Sequence, residues 1–255
     1  NALLARVETA YAQLEAFNAD VAHELRTPLS NMLAQAEVEL GRERNDSELK
    51  DVLESQLEEA RRLTGIVADM LFLSKADRGV KARRDPATSL AAQVAAVAEF
   101  QGAVLEEAGL TLVIDGESHL AMDIGLVRRA VSNLISNAQR YADRDSTLRV
   151  VIERDENATR LLVQNKGPAI RPDALPHLFE RFYRADESRS GSATHHGLGL
   201  AIVAAIARMH DGETFASCND GITTVGVSLR KASPPPVDPA APSNPSNTGN
   251  TGNRA

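Results

Sequence analysis

Two apolar stripes at helical spacing dominate the first third of the chain and leave few folds open to it. Leu3, Val7, Ala10, Leu14, Phe17, Val21 and Leu25 recur every three or four residues. Leu49, Leu53, Leu57, Ala60, Leu63, Val67 and Met70 repeat the pattern. Such spacing aligns apolar side chains along one seam of a long helix. The segment between them, "GRERNDSE", is polar and turn-like, with Ser47 placed to cap the second helix. The pattern predicts an antiparallel helical hairpin. Each helix of a hairpin buries one stripe, so a second copy is expected to complete a four-helix bundle as a homodimer. On periodicity alone, a coiled-coil spacer fits as well.

The seam stops at "ADRGVKARRDPATS", which places a linker at 79–88. Beyond it, "LAAQVAAVAEFQGAVLEEAG" reads as helix and "LTLVID" as strand. "MDIGLVRRAVSNLISNAQRYA" reads as a helix capped by Asp123, and "TLRVVIERD" and "ATRLLVQN" alternate as half-buried antiparallel strands do. "HGLGLAIVAAIARMH" is a Gly-opened helix and "ITTVGVSLR" a closing strand. Strands and helices do not alternate regularly enough for a parallel sheet. The expectation is an α+β sandwich over 89–231, one mixed sheet with helices on one face. From Ala232 the chain carries six of its eleven prolines and little apolar bulk, which predicts a disordered tail over 232–255.

A net charge of −7 argues against nucleic acid as the main partner. The single cysteine, Cys218, excludes an intramolecular disulfide. No apolar run approaches the roughly 20 residues that span a bilayer. The chain opens in mid-pattern at Asn1, so a longer protein is expected, with any membrane contact made through segments absent from this chain.

Within the first helix, "FNADVAHELRTPLS" is polar where a buried helix should be apolar. At about 100° per residue, His23 lies roughly 160° from Val21 and Leu25, opposite the seam. Thr27 shares its face and Glu24 is adjacent. Pro28 lacks an N–H, so the carbonyl of residue 24 loses its helical partner beside the displayed imidazole. A neutral imidazole is a competent nucleophile, and a carboxylate accepting its other N–H improves it. A solvated surface histidine beside a chance proline explains the same residues.

The second half adds four further elements. In "NLISNAQRYA", Asn133 and Asn137 share a helix face with Arg140 and Tyr141 one turn on. Amide oxygens so placed suit Mg²⁺ held together with phosphate, although a polar helix face explains the spacing too. In "VQNKGPAI", Asn165 emerges at a strand end, where its amide can read a base edge, and Gly167-Pro168 forces a turn. "LFERFYRAD" supplies Phe179 and Phe182 for a lid or a local core. "HHGLGLAIV" then runs a glycine loop into a helix, which offers bare N–H groups to phosphates.

Taken in this order, the motifs over roughly 1–231 resemble the cytoplasmic catalytic region of bacterial two-component sensor histidine kinases, most closely the heavy-metal-response members. "FNADVAHELRTPLS" is similar to their phosphoacceptor box, "NLISNAQRYA" to the N box, and "VQNKGPAI" and "HHGLGLAIV" to the two glycine boxes, with "LFERFYRAD" as the F box. The resemblance implies a dimerisation and phosphotransfer hairpin over 17–78, entered by a signalling helix over 1–16, and a sandwich of the histidine kinase/gyrase type that binds ATP and Mg²⁺. It implies that His23 is phosphorylated with Glu24 as general base, and that Thr27 orients water in the reverse, phosphatase reaction. It implies that Asn137 coordinates Mg²⁺ with Asn133 nearby, that Arg140 and Tyr141 flank the nucleotide, and that Asn165 and Gly167 hold adenine. Gly197, Leu198, Gly199 and Leu200 then present their backbone to the phosphates. The implied partners are a second copy and a response regulator, and the implied location is the cytoplasmic side of an inner-membrane protein.

Three residues depart from the family pattern. Asn165 stands where an aspartate is usual, Ala169 replaces the second glycine of its box, and His195 the first glycine of the other. An amide oxygen still accepts from an adenine amino group, and Asn is common among the heavy-metal-type members. His195-His196 is read as a solvated pair rather than a metal site. The departures also leave open a scaffold that binds ATP only as a conformational ligand.

Overall fold

The computed structural model describes residues 21–22, 25–40, 46–185 and 196–231. His23 and Glu24, the seam positions Leu3 to Phe17, His195 and the expected tail lie outside these. Helix α1 is continuous over 25–40, so the hydrogen bond lost at Pro28 does not end it. Pro28 is buried and Thr27 is exposed. Helix α2 spans Asp46–Asp77. Its start at Asp46 puts Ser47 inside the first turn rather than at the cap.

Two faces of α2 differ in their cover. Leu49, Leu53 and Leu57, on the expected seam, are 49–60% exposed in the single chain. Ile66, Met70, Leu73 and Ala76 form a second stripe that is buried, and α2 packs against the last helix of the sandwich through this end. Only Met70 of these four belonged to the seam read from the sequence.

Residues 78–87 lead from α2 into a short pair of strands, β1 (Thr88–Ser89) and β3 (His119–Leu120). This segment is anchored to the sandwich. Ala82 N–H donates to Met209 O, Asp85 N–H to Met122 O, and Arg84 reaches the carbonyls of His210 and Ala121. Any hinge is thereby confined to the turn at Arg78, Gly79 and Val80.

The expected helix over 90–109 is broken in two, α3 (Leu90–Phe100) and α4 (Gly102–Glu107). At the break, Gln101 turns inward and donates to Ser132 Oγ at 2.8 Å. The main sheet has the order β2-β4-β5-β7-β6, formed by Thr111–Asp115, Thr147–Arg154, Ala158–Lys166, Ile222–Arg230 and Thr214–Asn219. Only β2 and β4 are parallel. Helices α3, α5 (Ile124–Tyr141) and α6 (Gly199–Met209) pack on the sheet, and Asp123 caps α5 by accepting from Leu126 N–H at 3.0 Å.

Alternation sets the core. Leu148, Val150 and Ile152 of β4, Leu161 and Val163 of β5, and Val225, Val227 and Leu229 of β7 are all buried. Beneath α6, buried His210 bridges two elements. Its Nδ1 donates to Ile206 O (2.8 Å) and its Nε2 accepts from Asp123 N–H (3.1 Å), a pattern only the neutral ring provides.

Candidate functional site

A cavity of about 340 Å³ opens between α5, the N-terminus of α6 and the ends of β5 and β7. That volume lies within the roughly 300–1,000 Å³ typical of small-molecule sites. Its floor is the sheet. The core-facing register of β5 runs Thr159, Leu161, Val163 and then Asn165, so the strand ends with an amide where the pattern calls for an apolar side chain. Asn165 is 3% exposed, and its Nδ2 has no hydrogen-bond partner among the described residues. A buried donor left unpaired costs about 1–3 kcal/mol, which a ligand supplying an acceptor removes. Thr223, the β7 residue opposite Asn165, and Val225 complete the floor.

Helix α5 forms one wall through Asn133, Asn137, Arg140 and Tyr141. Asn133 Nδ2 donates to Arg129 O at 3.1 Å, which fixes the amide so that its oxygen faces Gly199. Arg140 stacks over Tyr141, 5.5 Å from the ring centroid. The opposite wall is Gly197, Leu198, Gly199 and Leu200. The α6 N-cap residue, Leu198, makes no side-chain capping bond, so among the described residues the first N–H groups of the helix are open to a ligand.

Gly167 does not line the cavity. It sits behind Asn165, where a Cβ would fall 2.0 Å from Tyr141 O, so only glycine lets β5 leave the sheet past α5. Gly197 is constrained in a related way. It has φ +68, its carbonyl accepts from Phe182 N–H at 3.1 Å, and a Cβ would lie 2.8 Å from Phe182 Cα. Phe182 itself adopts φ +61. Together they bring residue 182 against residue 197, on either side of 186–195 in the chain. Phe179 and Phe182 are half-buried against the core.

Several lining residues were not singled out from the sequence. Arg184 brings a guanidinium whose Nε and Nη2 are buried without partners among the described residues. An arginine opening a Gly- and Ser-rich loop was its available signal. Asp69 of α2 reaches the rim, where it pairs with Arg129, whose guanidinium also stacks over Phe72 at 4.3 Å. His196 is not the solvated residue expected, since its Nε2 accepts from Arg62 Nε of α2 at 3.0 Å. Arg181, earlier in the chain, pairs with Asp77 of α2.

Residues 122–233 match the histidine kinase-, DNA gyrase B- and HSP90-like ATPase family, and residues 13–79 match the His kinase A phospho-acceptor domain. Sensor histidine kinase CusS of Escherichia coli K12 is 40% identical over 221 residues, which cover 86% of this chain and 46% of that protein. The chain belongs to the sensor histidine kinases. Its relatives lie in the heavy-metal-response branch to which the motifs pointed. The chain spans about half the length of the curated relatives it matches, 46% in the case of CusS.

Among solved structures, Acinetobacter baumannii histidine kinase AdeS matches with a TM-score of 0.69 at 21% identity, over 83% of this chain and 98% of that one. Histidine kinase ThkA, in its complex with response regulator protein TrrA, matches with a TM-score of 0.68 at 19% identity, over 88% and 64%. At such identities these two establish the fold, a phospho-acceptor helical region followed by an α/β ATPase sandwich. No helix among the described residues is long and apolar enough to cross a membrane. Among the same residues no cluster of three His, Cys, Asp or Glu side chains is placed to hold a metal ion.

Proposed function

We propose that the chain phosphorylates itself on His23 from ATP and passes the phosphoryl group to an aspartate of a separate response regulator. In this reading residues 17–78 dimerise and carry the phosphoryl group, 79–88 link, and 89–231 bind the nucleotide. The observation that carries it is the cavity's set of groups left unpaired among the described residues. The Asn165 amide, the Arg184 guanidinium and the bare α6 N-terminus complement a base and its phosphates.

Imidazole Nε2 of His23 attacks the γ-phosphorus, so an N–P bond forms as the bridging P–O bond to ADP breaks. Glu24 accepts the proton from the ring. Arg140 and Arg184 offset charge on the transferring group, and catalysis is mainly positioning and electrostatics. Oxygen-rich Mg²⁺ coordination fits the amides present, because Asn133 Oδ1 is oriented by its own hydrogen bond and Asn137 lines the same cavity one turn on. Mg²⁺ bound there would neutralise phosphate charge. The uncovered Leu49, Leu53 and Leu57 stripe is the homodimer seam, and segments outside this chain provide the membrane attachment. Thr27 orients water when the kinase acts as a phosphatase.

The test is a relay. Incubation with γ-labelled ATP and Mg²⁺ should label the chain first, and added response regulator should then take the label. A chain that binds ATP and never becomes labelled would be the scaffold instead. For the phosphatase step, Thr27→Ala should keep labelling and lose regulator dephosphorylation.

A further inference from the structure

We propose that Asn165 makes the base site permissive at the purine 6-position, admitting hypoxanthine and guanine nucleotides beside adenine. This rests on the nucleotide reading of the cavity and goes beyond it. Asn165 occupies the last core-facing position of β5 and is 3% exposed, with an unpaired Nδ2. Among the described residues no hydrogen bond fixes which way its amide turns. The facing Thr223 hydroxyl donates to Cys218 Sγ at 3.6 Å instead. Nδ2 lies toward Gly167, whose Cβ would stand 3.3 Å from it, so the amide turns about its terminal torsion to bring Nδ2 to a ligand in the cavity.

A carboxylate at this position would only accept, so it would read a 6-amino donor and repel a 6-oxo group. A carboxamide presents one acceptor and one donor. With Oδ1 toward the 6-amino group and Nδ2 toward N1, it matches adenine. Rotated by 180° about a broad terminal torsion, Nδ2 donates to a 6-oxo oxygen and Oδ1 accepts from N1–H, which matches hypoxanthine or guanine. The same side chain therefore satisfies both edges, and the otherwise unpaired Nδ2 finds an acceptor in each.

Calorimetric affinities of the whole chain for ATP, ITP and GTP, with Mg²⁺, test this in wild type and in Asn165→Asp. The expected wild-type preference for ATP over ITP is below about tenfold, the scale of one base-edge pair. In Asn165→Asp that ratio should widen by a further tenfold or more. The wild-type chain supplies an independent arm if the variant fails to fold. A 1-deaza-ATP, lacking the N1 acceptor, should bind about tenfold more weakly than ATP. Equal binding of ATP and 1-deaza-ATP, or a wild-type chain that rejects ITP by a hundredfold or more, overturns the proposal while leaving ATP binding intact. Absence of binding by every triphosphate overturns the nucleotide reading as well.

Discussion

At Gly197 the backbone conformation and the available space make the same demand. Any side chain there must adopt φ +68 and meet the Phe182 backbone within 3 Å, so Gly197→Ala forces residues 182 and 197 apart. Strain of this kind costs about 1–3 kcal/mol. The expected result is a loss of about tenfold in affinity for an ATP analogue, read by calorimetry, with secondary structure retained by circular dichroism. His210 makes a different prediction. Burial holds its folded pKa below the usual 6.5, against the hydrogen bond to Ile206 that favours the charged ring. Below pH 6.5 the unfolded chain therefore binds a proton that the folded chain resists, and stability falls as pH drops from 6.5 toward the folded value. Urea midpoints measured between pH 7.5 and 5 should decline in wild type and decline less in His210→Gln. The acid limit of that range avoids Asp211 and Glu117, whose carboxyls are held below their ordinary values by hydrogen bonds from Lys81 and Ser89 respectively.

Helix α2 divides its work between two faces, and only one was legible beforehand. The Leu49, Leu53 and Leu57 seam follows a heptad, which a single sequence displays. The buried stripe of Ile66, Leu73 and Ala76 packs toward α6, more than 120 residues away in the chain, and no local period announces that partner. Strand β6 was missed for another reason. It pairs with β7 through a turn at Asp220 (φ 51) and Gly221 (φ 74), and that Asp-Gly pair was a hairpin signal left unused. Asn165 and the α5 amides were legible because their motif order is distinctive. Arg184 was not, since its unpaired guanidinium is a property of the folded wall. Apolar contact should dominate the docking of α2. Leu73 is fully buried, so Leu73→Ala should lower the opening free energy of the C-terminal half of α2 by about 2–5 kcal/mol in amide hydrogen exchange. Asp77, 46% exposed and paired with Arg181, should contribute less than about 1 kcal/mol when changed to alanine.

Across the whole molecule, the sandwich rests on the C-terminal half of α2, which packs against α6. Contacts from α2 reach the described residues on both sides of 186–195 in the chain, through Asp77 to Arg181 and Arg62 to His196, and Asp69 meets the cavity rim. In the proposed relay, any movement of the sandwich relative to α2 turns at Arg78 to Val80, because residues 82–85 are hydrogen-bonded to the sandwich. In the proposed reading the exposed leucine stripe sets the assembly state. Leu53→Glu with Leu57→Glu places charge in the expected four-helix seam and should convert a dimer to a monomer in sizing chromatography with light scattering. One measurement bears most directly on the central claim: exposure of wild type and His23→Gln to γ-labelled ATP and Mg²⁺, followed by acid and base treatment. The account predicts a base-stable, acid-labile label on wild type and none on His23→Gln; equal labelling of both, or an acid-stable label, would contradict it.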